Sequence, residues 1–248
     1  MTWNVLSYDS LESTNTFAWE QLSHGGLKHG DVIQAAHQTG GRGRFNNRTW
    51  ADEPGHSLLM SVVLTEINRA LLPLLSFVAG LATLRAMRRT QSAADGDRIK
   101  LKWPNDLLID RRKVAGILVE NCWSGSELKG SVVGIGVNVN QSSFPEPLSE
   151  TATSIRNSFR KDLAVNELRD SILNELRSLL QLDREDMMQQ IRRELEWMTT
   201  IKGLSVHLLE GIDYRDVQYK GVTEDGALLV HHDDRTETIY AATLGIPR

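Results

Sequence analysis

The chain has 248 residues, of which 40% are hydrophobic and 24% charged, with 28 Lys+Arg against 32 Asp+Glu and a sequence pI near 6.0. This length gives one large domain, or a medium domain with a small appendage, and it is ample for a packed core. The mild acidity argues against a DNA-binding protein, because a protein that neutralises many phosphates usually carries a net basic domain. The single cysteine, Cys122, excludes a disulfide scaffold.

The sequence predicts neither a secretory signal nor a membrane-spanning segment. Its first residues lack a basic region that leads into an apolar run. The apolar uncharged run at residues 70–84 contains Pro73 and Gly80 and falls short of the roughly 20 apolar residues that span a bilayer. Together with the lone cysteine, which favours a reducing compartment, these features predict a cytoplasmic protein.

The first predicted elements are two helices and two strands. A helical stretch, residues 16–22, follows Ser13-Thr14-Asn15, one of which is expected to cap it. Residues 31–36 and 57–64 are short apolar runs bounded by turn formers, which predicts strands. Between residues 71 and 88 apolar side chains recur at intervals of three and four, which predicts an amphipathic helix.

Four further runs predict a meander, at residues 98–102, 106–109, 114–120 and 131–140. Their short connections favour antiparallel pairing, since a parallel crossover needs about a dozen residues or more. Apolar repeats over residues 163–179 and 187–198 predict two more helices. After Gly203, four short β-like runs predict a small barrel, at residues 206–209, 217–219, 227–230 and 238–240.

The segment that most strongly indicates chemistry is Gln38-Thr39-Gly40-Gly41-Arg42-Gly43-Arg44, directly after a predicted strand. Its glycines free the backbone to approach a ligand, and its two arginines provide planar donor forks for a carboxylate or a phosphate. The charged residues between positions 32 and 51 are arginines only. The segment therefore predicts an anion site, with a solvated turn whose arginines pair with surface acids as the alternative.

Three other segments hold polar residues or glycines that a plain core does not require. Lys102-Trp103-Pro104-Asn105-Asp106 offers oxygen ligands for a magnesium ion, or is a Pro-Asn-Asp turn. Lys113, before an apolar run, is either a partly desolvated lysine that attracts an anion or a solvated turn residue. In Gly134-Ile135-Gly136-Val137-Asn138-Val139-Asn140 the interior glycines indicate a bulge or a ligand at close range.

In this order, and with Ser13-Thr14-Asn15 before them, the segments closely resemble the biotin protein ligases, also called biotin–acetyl-CoA-carboxylase ligases, over essentially the whole chain. The resemblance implies an α+β fold with a mixed, largely antiparallel sheet and helices, like the catalytic domain of class II aminoacyl-tRNA synthetases, followed by a small SH3-like β-barrel. It places a catalytic domain at residues 1–200 and the β domain at residues 201–248. Since about a dozen residues precede Ser13, it implies a short form without an N-terminal DNA-binding domain.

The resemblance also implies a two-step reaction. Biotin and MgATP give biotinyl-5′-AMP and pyrophosphate, and a lysine of a biotin carboxyl carrier domain then attacks the adenylate. By matching position, biotin would contact Ser13, Thr14, Asn15, Gln38, Arg42, Gly43, Arg44, Lys113 and Gly116. Lys113 and Arg44 would be catalytic. The nucleotide would contact Trp103, Asn105 and Asn138, and Mg²⁺ would be held by Asp106 and Asn105.

The sequence departs from the pattern of this family at one place. After the Gly-Arg-Gly-Arg run many members carry a glycine, but here Phe45-Asn46-Asn47 follows and Trp50 comes slightly later, which puts loop closure over biotin in question.

Two alternative functions are left open. One is a lipoate or octanoate ligase of the same fold, and the other is a non-catalytic biotin or biotinyl-AMP sensor. The predicted partners are biotin, ATP and a carboxyl carrier domain, without DNA or a membrane, and a homodimer is left open.

Overall fold

The computed structural model describes residues 1–44, 49–200, 204–208, 214–240 and 242–245, which form two sheets with helices. The strands are β1 Asn4–Leu11, β2 Asp31–Gln38, β3 Ser57–Leu64, β4 Ile99–Lys102, β5 Asp106–Ile109, β6 Arg112–Ser124, β7 Glu127–Asn138, β8 Leu204–Leu208, β9 Tyr214–Val222, β10 Leu228–His232, β11 Arg235–Ile239 and β12 Ala242–Gly245. The helices are α1 Thr14–Ser23, α2 Leu75–Arg89, α3 Ala93–Gly96, α4 Ile155–Phe159, α5 Val165–Leu179 and α6 Arg184–Leu195.

The first sheet has seven strands in the order β1-β2-β3-β7-β6-β5-β4. Strands β1 and β2 pair in parallel with α1 as their crossover, and all the other neighbours pair antiparallel. The fold is therefore α+β with a mixed, mostly antiparallel sheet, as predicted. The meander formed by β4 to β7 confirms the expectation from its short connections.

The centre of this sheet is covered on both faces. All eight residues of β3 are buried, because α5 packs on one face and α1 on the other. A strand covered on both faces is a continuous apolar run rather than an alternating one. Strand β1 lies at the sheet edge with half of its residues exposed, so it carries no apolar run and the sequence did not predict it.

The helix predicted over residues 71–88 is divided in the structure. A 3₁₀ turn, Arg69–Leu74, contains Pro73, and α2 begins only at Leu75. Proline lacks an N–H group and disfavours helical backbone in the residue before it, which explains the division. By length and composition alone the segment Arg69–Arg89 could cross a membrane, but 72% of its most apolar window is buried inside the protein, as in a core helix.

The second sheet has five antiparallel strands in the order β11-β10-β9-β8-β12. Four of these strands overlap the four predicted β-like runs, whereas β12 was not predicted. Gly203 and Leu209, which bounded those predictions, lie outside the described residues.

The second sheet is joined to the first one by Trp103, whose indole N–H donates to the carbonyl of Gly226 at 3.0 Å. Gly226 has a φ of +83°, and a Cβ there would lie 2.8 Å from the Phe77 ring.

Candidate functional site

A cleft of about 780 Å³ brings together all thirteen predicted site residues. The N-terminus of α1, the loop after β2 and the middle of β6 and β7 form most of its walls. Ala242 and Leu244 of β12 also line it, so the second sheet contributes to the same cleft. The wall also includes Lys102, for which no role was predicted, and two parts that the sequence did not indicate, Arg111 and the segment at residues 144–148.

One end of the cleft, which we call the neutral end, is formed by uncharged polar residues: Ser13, Thr14, Asn15, Gln38 and Ser61. Ser13 caps α1, as predicted for this segment, and its hydroxyl accepts a hydrogen bond from the Thr16 N–H at 3.3 Å. Thr14 donates both its N–H (2.7 Å) and its hydroxyl (3.0 Å) to Gln38 Oε1. These two bonds fix the side chain of Gln38, with its Nε2 group turned away from Thr14.

The amide of Asn15 is fixed by three neighbours at the neutral end. Its Nδ2 group donates to the carbonyl of Leu118 at 3.1 Å and to Glu120 Oε2 at 2.8 Å. Its Oδ1 lies 2.6 Å from the Ser61 hydroxyl, which is also 2.8 Å from Thr14 Oγ1. Ser61 is fully buried between apolar residues in the middle of β3. That hydroxyl within an apolar run was the one sequence signal of its role, and the prediction did not use it.

The glycines of β6 and β7 form the floor of the cleft. A Cβ on Gly134 would collide with the Asn15 side chain, and a Cβ on Gly136 would lie 2.9 Å from the Trp50 ring. The pairing of β7 with β3 is regular along this stretch, so the bulge offered as one interpretation of these glycines is wrong. The glycines are needed because side chains from α1 and from the loop after β2 lie directly on the strand.

A bulge does occur on the neighbouring strand β6, where it places Lys113. The register with β5 shifts between the pairs Leu107↔Ala115 and Leu108↔Lys113. In a regular strand, residues 113 and 116 would point to opposite faces, because successive side chains alternate. The shift instead brings Lys113 Nζ to 3.0 Å from the position that a Cβ of Gly116 would take. A bulged strand therefore turns the lysine into the cleft.

Opposite the neutral end lies a group that we call the charged end: Arg42, Arg44, Lys113 and Asp106. Lys113 Nζ lies 2.5 Å from Asp106 Oδ1 and 5.7 Å from the centre of the Trp50 ring. Arg42 Nη2 lies 3.3 Å from Glu120 Oε1, and Arg44 Nη2 donates to the carbonyl of Ala242 at 3.3 Å. The two arginines thus connect the loop after β2 to the first and the second sheet.

The predicted nucleotide and metal residues lie next to the charged end. Asn138 is buried, donates to the Thr153 carbonyl at 3.0 Å, and has an Oδ1 atom without a partner among the described residues. Asn105 donates its amide to the Ile117 carbonyl at 2.7 Å. Trp103 is 1% exposed and bonded to Gly226, so it also has a packing role. Among the described residues no three His, Cys, Asp or Glu side chains cluster as metal ligands.

The residues that depart from the biotin ligase pattern, Phe45-Asn46-Asn47, lie outside the described residues, as does Arg48. Trp50, at the end of the same loop, is described. Its ring lies over Gly116 and Gly136. Its backbone N–H donates to the carbonyl of Gly41 at 2.9 Å. The indole Nε1 is buried and has no hydrogen-bond partner among the described residues.

The chain is similar to known proteins over most of its length. A model of the biotin/lipoate A/B protein ligase family matches residues 7–138, more than half of the chain. The bifunctional ligase/repressor BirA of Bacillus subtilis is 28% identical over 250 residues, which cover 97% of this chain and 73% of BirA. The biotin–[acetyl-CoA-carboxylase] ligase of Paracoccus denitrificans is 38% identical over 128 residues, which cover 52% of this chain and 51% of that protein.

Among solved structures, the biotin protein ligase of Aquifex aeolicus in complex with biotin and ATP superposes with a TM-score of 0.79 at 25% identity and covers 99% of both chains. The biotin protein ligase of Leishmania major in complex with biotin gives a TM-score of 0.68 at 26% identity, over 96% of this chain and 98% of that chain.

Proposed function

The chain belongs to the biotin/lipoate A/B protein ligase family, and from that premise we propose that it is an ATP-dependent biotin protein ligase. It activates biotin with MgATP to biotinyl-5′-AMP and transfers the biotin to a lysine of a biotin carboxyl carrier domain. The similarity to the biotin–[acetyl-CoA-carboxylase] ligase of Paracoccus denitrificans and to the biotin protein ligase of Aquifex aeolicus supports this assignment. The observation that carries it within this chain is the hydrogen-bond pattern of the neutral end.

The neutral end is complementary to a ureido ring, which has one carbonyl acceptor and two N–H donors. Ser13 accepts a bond from Thr16, so its hydroxyl proton is available to a ligand carbonyl. Gln38 Oε1 is occupied by Thr14, which leaves the Nε2 group as a further donor. Asn15 uses its amide donors on the protein, and its Oδ1, which accepts from Ser61 at 2.6 Å, has a second lone pair for a ligand N–H. The dithiolane ring of lipoate has neither group, so the pattern favours biotin.

The charged end suits the first chemical step. A biotin carboxylate is already ionised at neutral pH, so the step requires no strong base. One carboxylate oxygen attacks the α-phosphorus, a new P–O bond forms, and the bond to the β-phosphate breaks to release pyrophosphate. Arg42, Arg44 and Lys113 hold these two anions together and stabilise the charge that develops on the phosphorus centre.

ATP brings Mg²⁺ to the same end of the cleft. Asp106 provides a hard carboxylate oxygen, and Asn105 keeps its amide oxygen while its Nδ2 group is used by Ile117. Both residues therefore fit the ion, which would neutralise phosphate charge when bound. Asp106 now pairs with Lys113, so occupation of Asp106 by the metal would free the lysine for the substrate anions.

We also propose a domain organisation, an acceptor and a location for the protein. Residues 1–200 are the catalytic domain of class II synthetase type, and residues 201–248 are an SH3-like β domain whose strand β12 reaches the cleft. The acceptor is a carboxyl carrier lysine in the cytoplasm, where the buried free thiol of Cys122 stays reduced. Sedimentation of the purified chain decides whether it forms the homodimer that the sequence leaves open.

A single assay tests the proposal. The protein is mixed with MgATP, an apo carboxyl carrier domain and either biotin or lipoate, and the carrier is then weighed by mass spectrometry. The ligase predicts a mass increase with biotin alone. An increase with lipoate alone would support the lipoate or octanoate ligase, and retention of biotin by the protein without any increase would support the sensor.

A further inference from the structure

Glu120, at the end of the Gly-Ile-Leu-Val-Glu run of β6, joins the two ends of the cleft. Its Oε2 atom accepts a hydrogen bond from Asn15 Nδ2 at 2.8 Å. The Nη2 group of Arg42 lies 3.3 Å from its Oε1 atom and 3.5 Å from Oε2. One carboxylate therefore serves a residue of the neutral end and a residue of the charged end.

The contact with Asn15 determines which way the asparagine amide is turned. The Leu118 carbonyl and the Glu120 carboxylate can only accept hydrogen bonds, so both require the Nδ2 group on their side. The Oδ1 atom is consequently turned toward Ser61 and the floor of the cleft. Without the carboxylate, one of the two acceptors that fix the amide is lost.

The contact with Arg42 determines where the guanidinium lies. Glu120 uses only the Nη2 group, which leaves the other donors of the guanidinium for a ligand anion. The side chains are 49% exposed for Arg42 and 29% exposed for Glu120. An ion pair this exposed contributes little to folding stability. The ion pair instead fixes the position of Arg42, which lies on a glycine-rich loop.

We propose that Glu120 is a positioning residue for the ligase reaction, which turns the Asn15 amide toward the ureido ring and holds Arg42 beside the biotin carboxylate. This inference rests on the proposed function. It also gives a reason for the acid at the end of the apolar run of β6, since Glu120 accepts hydrogen bonds from Asn15 and Arg42.

Two variants separate the two contacts. Glu120→Gln keeps the size of the side chain and an oxygen that can accept from Asn15, but it loses the charge that attracts Arg42. Glu120→Ala loses both contacts. Glu127→Gln is the matched control, because Glu127 is an exposed acid on the adjacent strand β7 that pairs with Lys129 outside the cleft. Thermal melting of all three variants checks that they fold.

The probes are biotin and biotin methyl ester, whose affinities are measured by calorimetry. The ester keeps the ureido ring but has no carboxylate for Arg42. We expect Glu120→Ala to weaken the ester by about tenfold, since the hydrogen bond from Asn15 to a charged group is lost, and to weaken biotin several-fold more, since Arg42 is released as well. Glu120→Gln should weaken biotin several-fold but leave the ester close to the wild-type value. In an Asn15→Ala background the effect of Glu120→Ala on the ester should disappear, because the two residues act as a unit.

Each result is decisive. The pattern above supports the positioning role of Glu120. Wild-type affinity in both Glu120 variants, or equal losses of biotin and of its ester in Glu120→Gln, would overturn it while the proposed function stands. A wild-type protein that does not bind biotin would overturn the proposed function itself, and the inference with it.

Discussion

The two ends of the cleft are built in different ways. At the neutral end, Ser13, Thr14 and Asn15 are each 4% exposed and Ser61 is fully buried, and Thr14, Asn15 and Ser61 share one hydrogen-bond network with Gln38. At the charged end, the side chains of Arg42 and Lys113 are 49% and 37% exposed, and each pairs with a carboxylate. The neutral end is thus complete before any ligand arrives, whereas the charged end must exchange its partners.

This difference indicates that the two ends of the cleft have different functions. A buried, satisfied network is costly to rearrange, so it suits recognition of a ring with a fixed pattern of donors and acceptors. Exposed ion pairs are worth little to stability, so their cations can be transferred to substrate anions at low cost. Variants at the charged end should therefore affect the chemical step, and variants at the neutral end should affect biotin affinity.

We expect the largest effect from Lys113→Ala. Loss of a cation that acts on the developing charge should reduce biotin-dependent ATP–pyrophosphate exchange by about 100-fold or more while the fold is retained. Lys129→Ala removes an exposed lysine that pairs with Glu127, and it should leave the exchange rate unchanged. Near-normal exchange in Lys113→Ala would remove the lysine from the catalytic group.

Arg44→Ala should have the next largest effect, on the retention of the intermediate. Without the guanidinium that donates to the Ala242 carbonyl at the cleft wall, biotinyl-5′-AMP should dissociate about tenfold faster or more, because a charge-assisted contact is lost. Gel filtration after a single turnover measures the retained adenylate. The control is Arg112→Ala, an exposed arginine outside the cleft. Equal retention in Arg44→Ala and wild type would contradict the prediction.

At the neutral end, Ser61→Ala removes a fully buried hydroxyl that touches Thr14 and Asn15. Leaving the Asn15 Oδ1 atom without this partner should cost about 1–3 kcal/mol of folding free energy and should weaken biotin several-fold. The Michaelis constant for MgATP should be unchanged. Ser178→Ala, at an exposed hydroxyl on α5, is the control. A change confined to the ATP constant would mean that the two ends are not independent.

The smallest effect is expected for the thiol behind α1. Cys122 is 1% exposed, and burial raises the pKa of its thiol, so the reactive thiolate is scarce near neutral pH. Ellman's reagent should react with it slowly in the native protein and rapidly in guanidinium chloride. The native rate should rise with pH toward the raised pKa. Fast labelling at neutral pH would mean that the wall behind the neutral end opens readily.

Much of this arrangement could be predicted from the sequence. The apolar runs located β2, β3 and the meander, and Ser13 was expected among the caps of α1. The order of polar segments, through the family that it resembles, selected thirteen residues that do meet in one cleft. Local patterns of this kind are strong where a segment is covered on both faces or where a turn needs particular residues.

The remainder depends on tertiary contacts that a single segment does not encode. The bulge of β6 follows from its pairing with β5, and Glu120 meets Asn15 only because α1 lies across the sheet. Ser61 is one hydroxyl in an apolar run, and the strand β1 is too exposed to show a pattern. The interior glycines of β7 signalled a close approach, but the side chains that approach them come from elsewhere in the chain.

The central claim is that this cleft joins biotin to AMP. The most direct measurement incubates the purified protein with MgATP and an equimolar mixture of biotin and lipoate, without any carrier, and identifies the retained nucleotide by mass spectrometry. We expect biotinyl-5′-AMP, formed with one equivalent of pyrophosphate and abolished in Lys113→Ala. Lipoyl-AMP alone, or unchanged ATP beside bound biotin, would contradict it.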